Sequence, residues 1–166
     1  MVEQLAFNQL APRSNRGGPI RDSMWKNPIP MVDVIIESND KIVLIKRGTE
    51  PFKGMIAIPG GHMKLGETIE NAAKREAKEE TSLDIELIDI LGVYSDPKRD
   101  PRKHSIATVF IGKPIKGGLK PGSDAKKALW VDINEINLHE LAFDHKKILT
   151  DYLKWRKKKG TYWSTK

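Results

Sequence analysis

The sequence predicts an α/β fold in which a mixed β-sheet is covered on both faces by helices. Short apolar or alternating segments of strand character recur between turn signals from residue 31 to 131. Only the segments opening at Thr68 and Asp144 carry the periodicity of substantial helices. Strands interspersed with so few helices suit a mixed sheet with helices on either side. A chain of 166 residues with 39% hydrophobic content can build one core and hardly two domains.

Residues 1–26 are polar, rich in Gly, Pro, Asn and Arg, and lack periodicity. They read as an N-terminal arm, mobile or ordered against a partner subunit. The main domain is expected over 27–157. Its first strand, 31–36, is nearly continuously apolar, as a strand buried on both faces would be. Asn39 and Asp40 mark a turn, and 41–46 returns as a second strand around Ile42, Val43, Leu44 and Ile45. A short strand at 56–58 feeds the Pro59-Gly60-Gly61 turn. The first helix follows, with Thr68 as N-cap and Glu70 near the positive end of the dipole. A long strand is expected at 84–94, with a break at Gly92, then a charged, proline-bearing loop at 95–103. Further strands are expected at 105–112 and 129–131, separated by a Gly/Pro loop at 117–124, with Trp130 in the core. Asp144 is expected to cap a closing helix to about residue 157, buried along Ile148, Leu149, Tyr152 and Leu153. A basic tail, 158–166, completes the chain.

The chain has no cysteine, which excludes disulfides, a thiolate nucleophile and a cysteine-based zinc site, and fits a reducing cytoplasm. No apolar run is long enough to span a bilayer, and the N-terminus lacks the pattern of a signal peptide. The net charge of +7 raises the question of nucleic acid. Lys154, Arg156, Lys157, Lys158 and Lys159 cluster at the last helix end, where solvation and the helix dipole favour them. They could also concentrate an anionic small molecule. Without a recognisable RNA-binding motif, nucleic acid ranks below both readings.

The segment 60–83, GGHMKLGETIENAAKREAKEETSL, carries the chemistry. At helical spacing, Ile69, Ala72, Ala73, Glu76, Ala77 and Glu80 form one stripe, so two carboxylates continue the apolar seam with Glu79 beside them. Like charges at i, i+4 repel, and burying them adds cost. A divalent cation held by oxygen ligands would neutralise them, and Mg2+ or Mn2+ suits such a cluster. A solvated Glu/Lys face is the commoner reading of an isolated KEE run, but it leaves the apolar-side position of these charges unexplained.

Gly61, Glu67, Arg75, Glu76, Ala77, Glu79, Glu80 and Leu83 resemble the Nudix box, G-x5-E-x7-R-E-U-x-E-E-x-G-U, with U aliphatic. Every charged position is filled. Ser82 stands where the box has glycine, a departure at helix termination rather than at a ligand. The resemblance implies a Nudix-type α/β/α sandwich with a mixed sheet. It further implies a metal site built from Glu76, Glu79, Glu80 and the main-chain oxygen of Gly60. Arg75 would orient the carboxylates, and Glu67 would support the loop–helix geometry. The reaction implied is in-line attack of water at phosphorus with no covalent enzyme intermediate. The general base would come from the box, as Glu79, or from the later loop, whose one acid is Asp124.

The segments 93–104 and 141–145 resemble the ADP-ribose pyrophosphatase branch of that family, and the likeness runs from about 28 to 155. Arg99 and Arg102 could clamp phosphates in forked hydrogen bonds, and Tyr94 or Phe143 could stack on a base or sugar. Arg47, Ser95 and Asp96 complete the candidate substrate contacts. In the alternative reading, Asp96 and Asp100 pair with the arginines and only stiffen the loop. His104 and His145 are expected in orienting roles, not as metal ligands.

The expected activity is therefore metal-dependent hydrolysis of nucleoside diphosphate sugars, ADP-ribose foremost, to a nucleoside monophosphate and a sugar phosphate. Dinucleoside polyphosphates or nucleoside triphosphates, including oxidised ones, are the alternative substrates. A non-catalytic nucleotide-sensing module ranks low because every box carboxylate is present. The arm, by analogy with related enzymes that build pockets across two chains, suggests a homodimer, and no membrane association is expected.

Overall fold

The computed structural model describes residues 27–122 and 125–166. The expected arm, 1–26, and the expected loop base, Asp124, lie outside the described residues. The strands are β1 (Ile29–Ser38), β2 (Lys41–Arg47), β3 (Ile56–Ala57), β4 (Gly60–His62), β5 (Asp84–Tyr94), β6 (Ser105–Lys116), β7 (Ala125–Asp132) and β8 (Tyr162–Trp163). The helices are α1 (Ile69–Thr81) and α2 (His145–Lys157). The sheet runs β3-β2-β1-β6-β5-β8, with β4 paired to β1 and β7 paired to β2. It is mixed because β1 pairs parallel with β6, and β5 with β8, while the other pairings are antiparallel.

Alternation along the strands assigns the two faces. Val32, Val34 and Ile36 of β1 pack with Val43 and Phe110 against Ala72, Ala73 and Ala77 of α1. Ile35, on the opposite side of β1, joins Ile42, Leu44, Leu91 and Ile111 against Ile148, Leu149, Tyr152 and Trp155 of α2. The layers are thus helix, sheet, helix, as the sequence predicts. Trp130 packs partly buried against the α1 cluster.

Local signals set the ends of α1. Thr68 Oγ1 accepts from the Asn71 amide at 3.2 Å, and Ser82 closes the helix at φ 63°, the left-handed conformation its place in the box demands. Strand ends differ more. β6 continues to Lys116 and β7 begins at Ala125, because each lies along a long neighbour that extends its ladder. The tail after α2 contributes β8, whose Tyr162 and Trp163 pair with Gly92 and Val93. Asp144 precedes α2 as expected, but its carboxylate makes no capping bond. Among the described residues, no helix is long and apolar enough to cross a membrane.

Candidate active site

β1 pairs with β4 at Met31–Asp33 and with β2 only at Glu37–Ser38, so the sheet forks beside β4. A cleft of about 410 Å3 opens at this fork, lined by the Gly60-Gly61 turn, α1 and the loops before β6 and α2. The turn needs its glycines. A Cβ on Gly61 would stand 2.5 Å from the Glu76 carboxyl carbon, and one on Gly60 would overlap Val32 O and Asp33 Oδ1. Close approach of helix to turn brings the box carboxylates to the cleft.

Arg75 organises them. Its Nε and Nη2 fork onto Glu67 at 2.6 and 3.0 Å, and Nη1 donates to Glu76 at 2.6 Å and Glu79 at 3.1 Å. Nη2 also donates to the His62 carbonyl at 3.0 Å, tying helix to turn. These bonds from Arg75, with that from the Lys64 amide, hold the Glu67 carboxyl down at about 2. Arg75 engages Glu67, Glu76 and Glu79 at once. Glu80 lies deeper and accepts from the Gly60 amide at 2.9 Å. Burial, with Glu76 and Asp33 nearby, pushes its carboxyl up to about 8 despite that bond. Burial likewise raises Glu76.

Among the described residues, no three acidic or imidazole groups are gathered closely enough to chelate a cation as they stand. The Arg75 guanidinium bridges Glu67, Glu76 and Glu79 in this arrangement. The donor set nevertheless fits a hard divalent ion. It consists of carboxylates and a main-chain oxygen without sulfur, and Glu80 is half-buried with the Gly60 amide as its hydrogen-bond donor. Glu79 is half exposed and shared between Arg75 and Lys64.

Across the cleft, Phe143 is the centre of a cationic wall. The guanidinium carbons of Arg47 and Arg102 lie 4.8 and 5.7 Å from its ring centroid, and Phe52 meets its edge at 4.9 Å. Arg47 Nε is held by the Pro51 carbonyl at 2.9 Å, and Arg102 is forked onto the buried Asp100 at 3.0 and 2.7 Å. Phe143 itself adopts φ 55°, left-handed and strained for a residue with a Cβ, at a cost of about 1–2 kcal/mol.

The other candidates fall elsewhere. Arg99 borders the cleft but is only 6% exposed, its guanidinium engaging Asp144 twice at 3.0 Å, Ser105 at 3.1 Å and Asp33 at 3.2 Å. Its donors face inward, so it is a structural cation and not a phosphate clamp. Tyr94 is fully buried under α2, and its hydroxyl donates to Asp151 at 3.0 Å, so no face is open for stacking. The Ser95 and Asp96 amides donate to Ser164 Oγ at 2.6 and 3.1 Å, so the tail draws this part of the loop away from the cleft. Asp96 receives the Lys98 amide, and Asp100 alone of the two loop acids pairs with an arginine of the wall. His145 Nδ1 accepts from the Ile58 amide at 3.0 Å, and burial drives its imidazole down to about 3, so it stays neutral and orients the backbone.

Asp33, Thr49 and His62 also border the cleft without having been singled out from sequence. Asp33 had a signal: it is the one charged residue inside the apolar run of β1. Burial raises its carboxyl although Arg99 pulls it down. His62 and Thr49 had none, since a turn histidine and a loop threonine are ordinary.

The profile of the NUDIX domain matches residues 28–152. An ADP-ribose pyrophosphatase of Methanocaldococcus jannaschii is 53% identical over 133 residues, covering 80% of this chain and 78% of that protein. A NUDIX hydrolase structure from Nitrosomonas europaea superimposes with a TM-score of 0.76 at 26% identity, over 84% of this chain and 78% of that one. A bifunctional NMN adenylyltransferase/ADP ribose pyrophosphatase from Francisella tularensis, in complex with AMP and a manganese ion, gives 0.70 at 27% identity. That match takes in 78% of this chain and 42% of the two-activity protein.

Proposed function

The chain belongs to the Nudix family, and on that footing we propose that it is a pyrophosphohydrolase that cleaves the diphosphate of ADP-ribose to AMP and ribose 5-phosphate. The observation that carries this reading is a single cleft lined by both the box carboxylates and the Arg47–Phe143–Arg102 wall. Its 410 Å3 is in the range of sites for small ligands.

Gly60 through its carbonyl, and Glu76, Glu79 and Glu80 through their carboxylates, would hold a divalent cation. Mg2+ is the proposed ion, with Mn2+ able to substitute. When bound, that cation supplies charge neutralisation for the diphosphate and a water of lowered pKa. The chain's own groups do the rest. Arg75 holds Glu76 and Glu79 in orientation, while Glu67 keeps its guanidinium in place. Arg47 and Arg102 draw phosphate oxygens to the opposite wall. Glu79 or Asp124 takes the proton of the attacking water. That water attacks phosphorus, and the leaving phosphate departs with the bridging oxygen.

The test is turnover of the full chain with Mg2+ or Mn2+ in heavy-oxygen water, with products identified by mass. ADP-ribose should give AMP and ribose 5-phosphate, with one label in one product phosphate. Faster cleavage of dinucleoside polyphosphates or nucleoside triphosphates, or no turnover with either ion, overturns the reading. In the same assay, Asp124→Ala should lower kcat by about a hundredfold if Asp124 is the base. An unchanged kcat and pH profile assigns that role to Glu79.

The catalytic unit is proposed as 27–157 and the working assembly as a cytoplasmic homodimer, with the arm 1–26 contributing contacts. Support for the dimer comes from β5, which leaves Ile88, Ile90 and Val93 exposed along an edge that β8 pairs only at Gly92 and Val93. Light scattering should return twice the 18.8 kDa chain mass, and a monomer mass removes this part of the proposal.

A further inference from the structure

Two adjacent residues beside the cleft are irregular. Phe143 is held left-handed, and the next residue, Asp144, leaves the α2 amides without a side-chain cap. The Asp144 carboxylate is instead taken up by a fork in which Arg99 Nε and Nη2 donate to its Oδ2 and Oδ1, each at 3.0 Å. Arg99 is itself pinned from behind by Asp33 and Ser105, so the fork is rigid. On the other side of Phe143, the Ala142 amide donates to the Ile56 carbonyl at 2.8 Å. The backbone of Phe143 is thereby clamped on both sides, and its ring stands in the cleft wall between Arg47 and Arg102. Strain kept at a site wall and stabilised by surrounding structure marks a positioning device.

We infer that the Arg99–Asp144 fork positions the Phe143 ring, and that this ring sets Arg47 and Arg102 at the spacing that receives the substrate's phosphates. Arg99, Asp144 and Ser105 are positioning residues that act through Phe143. The inference rests on the proposed diphosphate substrate and adds the residues that shape its recognition. The Pro51 carbonyl engages Arg47 Nε, and Asp100 engages Arg102 Nε and Nη2, which leaves Arg102 Nη1 for an anion. The ring restrains the planar ends, which keep terminal N–H groups available to an anion.

The experiment is a double-mutant cycle read in KM for ADP-ribose with Mg2+. Phe143→Gly suits the left-handed backbone and keeps the fold, and should lower kcat/KM about tenfold, carried by KM. Asp144→Asn should raise KM to a similar extent in the wild-type background and add nothing in Phe143→Gly, because both act through the same ring. Should Asp144→Asn fail to fold, Ser105→Ala loosens Arg99 without removing a charge and completes the same cycle. An unmoved KM in Phe143→Gly, or independent, multiplying effects of the two changes, overturns the inference. Wild-type turnover separates the two readings. Its absence refutes the diphosphate substrate, whereas turnover with an unmoved KM in Phe143→Gly refutes the clamp alone.

Discussion

Glu80→Gln should lower kcat by about a thousandfold while leaving the fold intact. The amide keeps the size of the side chain and an acceptor for the Gly60 amide, but it loses the charge that would grip a cation. A second readout comes from the same residue. Its carboxyl sits at about 8 in the folded protein against an ordinary value of 4.5, because burial disfavours the charged form. A raised folded-state value gives stability that is fully present below pH 4.5 and is lost as pH rises through 8. In chelator, the wild type should therefore lose up to roughly 5 kcal/mol relative to Glu80→Gln between those limits. Divalent cation should restore it, since a bound cation favours the ionised form. Thermal melts across pH, with and without Mg2+, check this. Near-normal kcat in Glu80→Gln, or a stability gap indifferent to pH and metal, would remove Glu80 from the metal site.

Arg99→Met should cost about 3–5 kcal/mol of unfolding free energy, because a buried cation leaves and its acidic partners stay. Asp33 is 4% exposed and would face a thioether in place of a guanidinium, with Asp144 losing its fork. Urea unfolding at neutral pH measures the loss. The deficit should shrink on acidification, since Asp33 then takes up a proton, and it should shrink similarly when Asp33→Asn is added to Arg99→Met. A loss under about 1 kcal/mol would mean that the network behaves as an exposed ion pair.

Much of this protein was legible as sequence because its strongest signals are local. The α1 seam of Ala72, Ala73 and Ala77 with Glu76 and Glu80, the Thr68 cap and the left-handed Ser82 lie within a few turns of one helix. The Gly60-Gly61 turn was legible from its own glycines, although the atoms pressed against them belong to Val32 and Asp33 of β1 and to Glu76 of α1. Element order and both helices followed from periodicity. Strand ends at Lys116 and Ala125 did not, because a ladder is extended by its partner strand rather than by its own residues.

The loop at 95–104 marks the boundary. Its acids and arginines announced ion pairs, but not which arginine would turn inward. Arg102 folds back on Asp100, two residues away, and keeps one side on the cleft. Arg99 instead reaches Asp33 and Asp144, which are remote in sequence and meet only where β1 passes under the start of α2. Tyr94 was drawn into the core by Asp151, and Ser95 and Asp96 were drawn aside by Ser164 of the tail.

By itself, then, the order of residues determined the helix that carries the acids, the bend that meets it and the kind of ion they suit, since short-range spacing dictates all three. Only the folded chain decided which guanidiniums line the cleft, that Phe143 stands between two of them, and that the Asp144 carboxylate bonds Arg99 instead of capping α2. A flexible, charged side chain has many acceptable partners, and the choice among them is made by strands and loops that come together from distant parts of the sequence.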